Sequence, residues 1–197
     1  MSLQVTKTDE GAVYDPVFSG LLEDIPGGIT VATDRFPTAT KEIKKGALLN
    51  DGGSGLFNVI KTVKTTAANG AGATVLAIIP TDHLFNVGNY IFLWGAIASK
   101  ITRVSSTAIA FAVGVTTAGK VASGAVLYET ATVATATALY DADCILRDNI
   151  QVRDEKGEKL ANIFAGAIVH GTVDESEIPY FVTDADKVAL TDRIRWA

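Results

Sequence analysis

His83 and His170 are the chain's two histidines, and each would need a carboxylate or hydroxyl within reach to serve as a general base or a metal ligand. Asp82 adjoins His83, but neighbours on an extended chain point to opposite faces, and the pair runs into the turn-like Phe85-Asn-Val-Gly88. Both therefore read as loop residues. His170, within Ile168-Val-His-Gly-Thr172, reads as a strand residue at a solvent edge or an interface. Asp174, Glu175 and Glu177 could offer oxygen ligands to a divalent cation, yet the Asp-x-Asp-x-Asp-Gly spacing of a calcium loop is absent and a solvated acidic loop is expected. Asp51-Gly-Gly-Ser-Gly55 lacks the Lys-Ser/Thr ending of a phosphate loop and reads as a turn. No Gly-x-Ser-x-Gly elbow occurs. Cys144, the single cysteine, has no partner for an intrachain disulfide or a paired-thiolate metal site, and beside Ile145 and Leu146 it reads as a small buried hydrophobe. The expectation is a protein that is not an enzyme, with no catalytic residue, metal or cofactor.

The elements that would have to position any site are mostly short strands. Ile25-Pro-Gly-Gly-Ile-Thr-Val-Ala-Thr33 places a turn before a β-branched run, and Ile43 to Leu49 leads into the glycine turn at Asn50-Asp-Gly-Gly53. In Phe57 to Thr65, Phe57, Val59 and Val63 share one face and Asn58, Thr62 and Lys64 the other, while Ile60 and Lys61 break the alternation. Five strand candidates follow at even spacing, 74–79, 90–94, 100–104, 109–115 and 121–128, which predicts a small barrel or sandwich. The continuously apolar Thr74-Val-Leu-Ala-Ile-Ile79 predicts a central strand covered on both faces and ended by Pro80. In the aromatic strand Tyr90, Phe92 and Trp94 fall on one side, as core or as contact surface. Thr130 to Leu139 is a low-complexity run of small residues that fits a thin strand or a linker. Ile150 to Leu160, with its Glu-Lys-Gly turn, predicts a hairpin with 161–169. Thr183 before Asp184 and Asp186 predicts an N-capped helix from Asp184 to about Thr191.

Composition agrees with this reading. With 197 residues, 48% of them hydrophobic and 20% charged, the chain can bury a sizeable core as one domain or two small ones. Seventeen basic against 22 acidic side chains leave a net charge of -5, which disfavours a nucleic-acid partner. The apolar stretch 90–98 falls well short of the ~20 residues of a membrane-spanning helix, so no membrane partner is expected. The opening Met1-Ser-Leu-Gln-Val-Thr-Lys-Thr-Asp-Glu10 lacks a basic region followed by an apolar core, and the expectation is a protein made and used without export. Residues 1–20 carry no dense apolar cluster and read as an extended arm.

The run Leu160-Ala-Asn-Ile-Phe-Ala-Gly-Ala-Ile-Val-His-Gly-Thr-Val-Asp-Glu-Ser-Glu-Ile-Pro-Tyr180, with Val188-Ala-Leu190 and Ile194 beyond it, resembles the closing segment of tailed-phage head decoration proteins. Gly28-Ile-Thr-Val-Ala-Thr33 and Lys45-Gly-Ala-Leu-Leu49 are similar to the opening strands of such proteins, and His83 to Asn89 resembles an elaboration of head decoration and head fibre proteins. The resemblance covers about half the chain and implies a mainly β fold, a small decoration-protein-like β-barrel or sandwich with an extended N-terminal arm and one short C-terminal helix. It implies a decoration-type β domain from 21–66 and 130–197, with 67–129 as a central β elaboration. It also implies a capsid accessory on the virion exterior, made in the host bacterial cytoplasm. Its partners would be the major capsid protein, further copies in a trimer, and another head fibre protein. Tyr14, Val17 and Phe18 would anchor the arm on the shell, and Tyr90, Phe92, Trp94 and Trp196 are candidates for surface or protomer contact. The rival reading is a carbohydrate- or surface-binding β module in which Tyr90, Phe92 and Trp94 stack on sugar rings.

Overall fold

The computed structural model describes residues 17–79, 83–93, 97–112, 121–131 and 138–197. The fold is mainly β, with a single short α-helix and one 3₁₀ turn among the described residues. The strands of the first half are β1 (Phe18–Asp24), β2 (Ile29–Ala32), β3 (Glu42–Ile43), β4 (Leu48–Asp51), β5 (Leu56–Val59), β6 (Thr62–Lys64), β7 (Val75–Ala77) and β8 (Tyr90–Leu93). They are followed by β9 (Ile97–Ser105), β10 (Ala108–Phe111), β11 (Val126–Thr130), β12 (Cys144–Leu146), β13 (Ile150–Gln151), β14 (Asn162–Ala165), β15 (Ala167–Val173), α1 (Asp184–Ala189) and β16 (Ile194–Trp196). No helix among the described residues is long and apolar enough to cross a membrane.

The larger sheet runs β1-β15-β12-β4-β5-β2-β14, with β16 parallel to β15. Its two ends belong to one bent ladder. β1 continues through Ile25-Pro-Gly-Gly28 into β2, and β14 continues through Gly166 into β15. The pairing passes from Asn162 opposite Ala32 to Phe18 opposite Val173, and Ile25 N donates to Ala167 O across the corner at 2.9 Å. The sheet therefore closes on itself as a small barrel. Gly28 makes the corner: its φ is +71°, and a Cβ there would stand 2.9 Å from Ala165 O and meet the Phe164 ring. Val31, Leu49, Cys144, Ile145, Leu146 and Ile168 are essentially unexposed in the first core, and because Cys144, Ile145 and Leu146 are consecutive on β12, that strand is covered on both faces.

The second sheet runs β6-β11-β8-β9-β10-β7, and it too closes. Thr65 bridges Ile78, Thr66 N donates to Ala77 O at 3.0 Å, and Ile79 N donates to Lys64 O at 2.8 Å, which joins the last strand to the first. Its separate core holds Val63, Leu76, Ile91, Ile101, Ile109 and Leu127. The boundary between the barrels falls before β6 rather than at residues 66/67, because Val63 and Thr65 are already part of the second wall.

Several sequence expectations take a different form here. Residues 74–79 are not a central strand covered on both faces: Leu76 and Ile78 point inward while Val75 is exposed, because a barrel wall has one inner face. Ile150 and Gln151 pair with β3 instead of with 161–169. The turn at Asp154 to Gly157 does form, closed by the Arg153–Lys159 bridge, but its arms diverge into different sheets. The N-terminal arm expected over 1–20 ends earlier than that, since β1 begins at Phe18 and lies in the sheet; residues 1–16 are outside the described part. The helix forms as expected, with a capping box in which Thr183 and Asp186 exchange side-chain-to-backbone bonds of 3.1 and 2.9 Å.

Candidate functional site

Ile60 and Lys61, where the strand alternation fails, form the crossover between the barrels. By strand parity Lys61 falls on the inward face with Val63, and Glu129 falls there with Leu127, so the two charges meet at the end of the second barrel that abuts the first. Lys61 is 2% exposed and Glu129 4%. The loop after β2, tightened by Phe36 N donating to Thr33 O at 3.1 Å, delivers Arg35 from the first barrel. Arg35 Nη2 stands 2.8 Å from Glu129 Oε1, and Lys61 Nζ reaches the same oxygen at 3.5 Å. Lys61 also donates to Arg35 O at 2.8 Å and to Asn89 Oδ1 at 3.1 Å, while Asn86 Nδ2 donates to Arg35 O at 3.0 Å.

The electrostatics follow from burial. Desolvation lowers the Lys61 ammonium to about 8, against an opposing attraction from Glu129, and the Arg35 charge pushes in the same direction as burial. Arg35 Nη1 donates to the Tyr140 hydroxyl, and its guanidinium lies 4.9 Å from the centre of that ring. Glu129 Oε2 is buried and has no hydrogen-bond partner. A second tie between the barrels is made where Thr62 Oγ1 donates to Phe181 O at 2.5 Å and Lys64 lies over the Phe181 ring at 5.7 Å.

Two clefts flank this junction. One, of about 630 Å³, lies between Thr40 to Lys44 (among them Lys41 and Glu42) of the first barrel and His83, Asn86, Ser105 and Ser106 of the second. His83 Nε2 is 2.9 Å from Ser105 O there, and its Nδ1 is buried without a partner. The other, of about 300 Å³, is walled by Arg35, Asn89, Tyr90, Glu129 and Tyr140.

The residues singled out from sequence do not converge on either cleft. Val17 and Phe18, expected as arm anchors, are 2% and 6% exposed in the first core, where burial of their apolar side chains holds β1 to the barrel. They cannot grip another protein while β1 is in place. Tyr14 and Trp94 lie outside the described residues. Tyr90 and Phe92 are half-buried on the outer face of β8, and Phe92 stacks on Tyr128 with centroids 5.1 Å apart and planes at 15°. One face of Phe92 is therefore already covered. Trp196, on β16, packs partly buried against the first core with Nε1 buried and unpaired. His170 Nδ1 sits 3.0 Å from Glu23 Oε2 on the exposed β15–β1 ladder, and Glu175 pairs with Lys187 on the surface. Asp82 lies outside the described residues. Among the described residues no three His, Cys, Asp or Glu side chains are grouped so as to hold a metal ion. Burial pushes the Cys144 thiol up to about 12, which leaves it protonated and unreactive at neutral pH.

Lys61, Glu129 and Arg35 were not singled out in the sequence. Two of them carried a signal: a charged residue on the apolar parity of its own strand, Lys61 with Val63 and Glu129 with Leu127. No protein-family model, curated protein or solved structure matches the chain.

Proposed function

We propose that the chain is a non-enzymatic capsid accessory that decorates the exterior of a phage head, as a trimer, with the major capsid protein as its partner. One observation carries this reading beyond the sequence resemblance. The first barrel closes through a corner, and where the bent ladder splits between its neighbours two half-strands end the sheet order, β1 on one side and β14 on the other. A free strand edge offers a row of backbone donors and acceptors to a neighbouring chain, and strand addition is a common way for one protein to dock on another. β14 adds an apolar side chain beside its edge, Phe164, at 71% exposure. An accessory that must grip a lattice needs a rigid body with such edges, and the buried ion cluster between the barrels supplies rigidity.

The test is to mix the purified chain with empty phage capsids lacking accessory proteins, pellet the shells, and measure bound copies and resistance to heat. The reading predicts saturable binding at a ratio matched to the lattice and a shell that survives higher temperature. Absence of saturable binding would overturn it.

A further inference from the structure

The loop between β6 and β7 carries the chain's single Asn-Gly step, Asn69-Gly70, and a glycine has no side chain to keep its amide nitrogen from the preceding carboxamide. We infer that Asn69 is a modification site at which spontaneous deamidation yields aspartate and isoaspartate, a chemistry independent of strand-edge docking and of the capsid reading. Gly70 N loses its proton to base and attacks Asn69 Cγ, the Cγ–Nδ2 bond breaks, and ammonia leaves. One water then opens the five-membered imide at either carbonyl. The product carries one more negative charge than the parent, and its isoaspartate form adds a methylene to the main chain.

The fold leaves this step open. Among the described residues Gly70 N donates to no acceptor, a Cβ built on Gly70 meets nothing within 4 Å, and the loop on either side of Asn69 is exposed. The carboxamide is tied by Nδ2 donating to Ala67 O at 2.9 Å, on the exposed loop, where water can take the place of either partner. Asp51-Gly52, the chain's single Asp-Gly step, is the opposite case. Gly52 N donates to Leu56 O at 3.1 Å, Asp51 Oδ1 accepts from Gly53 N at 2.9 Å, and a Cβ on Gly52 would stand 2.7 Å from Asn58 Nδ2. That nitrogen is engaged and its surroundings are filled, so the fold holds this second step out of reaction. The consequence at Asn69 reaches the second core. Asn69 N donates to Val121 O at 2.8 Å, Val121 is fully buried, and a methylene added beside that bridge shifts its register.

Peptide mass spectrometry on the folded full chain, aged in buffer at body temperature, tests this. The expected result is a gain of about 1 Da confined to the peptide that holds Asn69, with part of the product a substrate for protein isoaspartate methyltransferase. The rate should rise several-fold from about pH 7 to about pH 8, because the attacking group is the deprotonated amide. Gly70→Ala, which the open space around Gly70 accommodates, should slow the reaction about tenfold by shielding the nitrogen. In the aged chain, peptides containing Val121 should exchange their amide hydrogens faster than in the fresh chain; equal exchange would remove the link to the second core. The inference is overturned if Asn69 stays intact in the folded chain while the chain unfolded in urea deamidates there, if Gly70→Ala reacts as fast as the parent, or if the gain in mass falls mainly on another asparagine.

Discussion

The two barrels solve closure differently. In the second, each strand of the order β6-β11-β8-β9-β10-β7 has a hydrogen-bonded neighbour on both sides once Thr65 bridges Ile78, so no strand ends the sheet. In the first, closure runs through the corner at Gly28 and Gly166, and among the described residues β1 and β14 are each paired along one side only. The consequence concerns recognition. Among the described residues, the first barrel has backbone groups at a strand edge for a partner to pair with, whereas the second presents side chains, among them the Phe92–Tyr128 stack and the cleft beside Glu129. The places where β closure is imperfect are the places suited to assembly.

The comparison holds only if the two bodies behave as one rigid unit, which the buried charges must secure. Glu129→Ala strips Lys61 and Arg35 of their carboxylate and should cost about 4 kcal/mol in denaturant unfolding. Replacing the pair together, Lys61→Met with Glu129→Leu, should recover at least half of that loss, since the buried ammonium is removed with its carboxylate and only the partly exposed Arg35 is left without its partner. If the single variant is as stable as the parent, the junction is not what joins the barrels.

The pH dependence separates the two cores. Lys61 falls from 10.5 to about 8 on folding, so between those values the unfolded chain holds a proton that the folded chain has released, and stability rises with pH by about 3 kcal/mol. Cys144, in the first core, moves the other way, from 9.0 to about 12, so the folded chain keeps a proton that the unfolded chain loses and stability falls over that range. Unfolding free energies measured against pH should climb from about pH 8 to 9, level off where the two effects oppose, and decline above about pH 10.5. Lys61→Met should abolish the climb and keep the decline, whereas Cys144→Ala should do the reverse.

Glycine substitutions probe the corner more gently. Gly28→Ala forces a side chain into a positive φ and against Ala165 O, and should cost about 2 kcal/mol, with faster hydrogen exchange in β1, β2, β14 and β15. Gly88→Ala, at a φ of +96° in the second barrel but with nothing closer than 4.0 Å, should cost only about 1 kcal/mol. Equal effects at both positions would remove the special standing of the corner.

Much of this architecture was legible because it is local. Thr183 followed by Asp186 specifies a capping box within four residues, and the alternation of Phe57 to Val59 and of Val63 specifies strands without reference to the rest of the chain. What escaped depends on distant partners. The apolar run 74–79 reads the same whether one face or both are covered, and only barrel closure decides. Val17 and Phe18 are ordinary arm residues until β15, more than 150 positions away, pairs with them. The junction was half visible, since Lys61 broke a pattern, but its meaning required Glu129 and Arg35 to arrive from other elements.

The division of labour between the barrels is tested most directly by hydrogen–deuterium exchange, followed by mass spectrometry, on the chain alone and bound to empty capsids lacking accessory proteins. Strand addition to the first barrel predicts new protection in peptides spanning Phe18–Asp24 and Asn162–Ala165, with the strands of the second barrel unchanged. Protection confined to the second barrel, or bound chain with both edges exchanging as before, would contradict it.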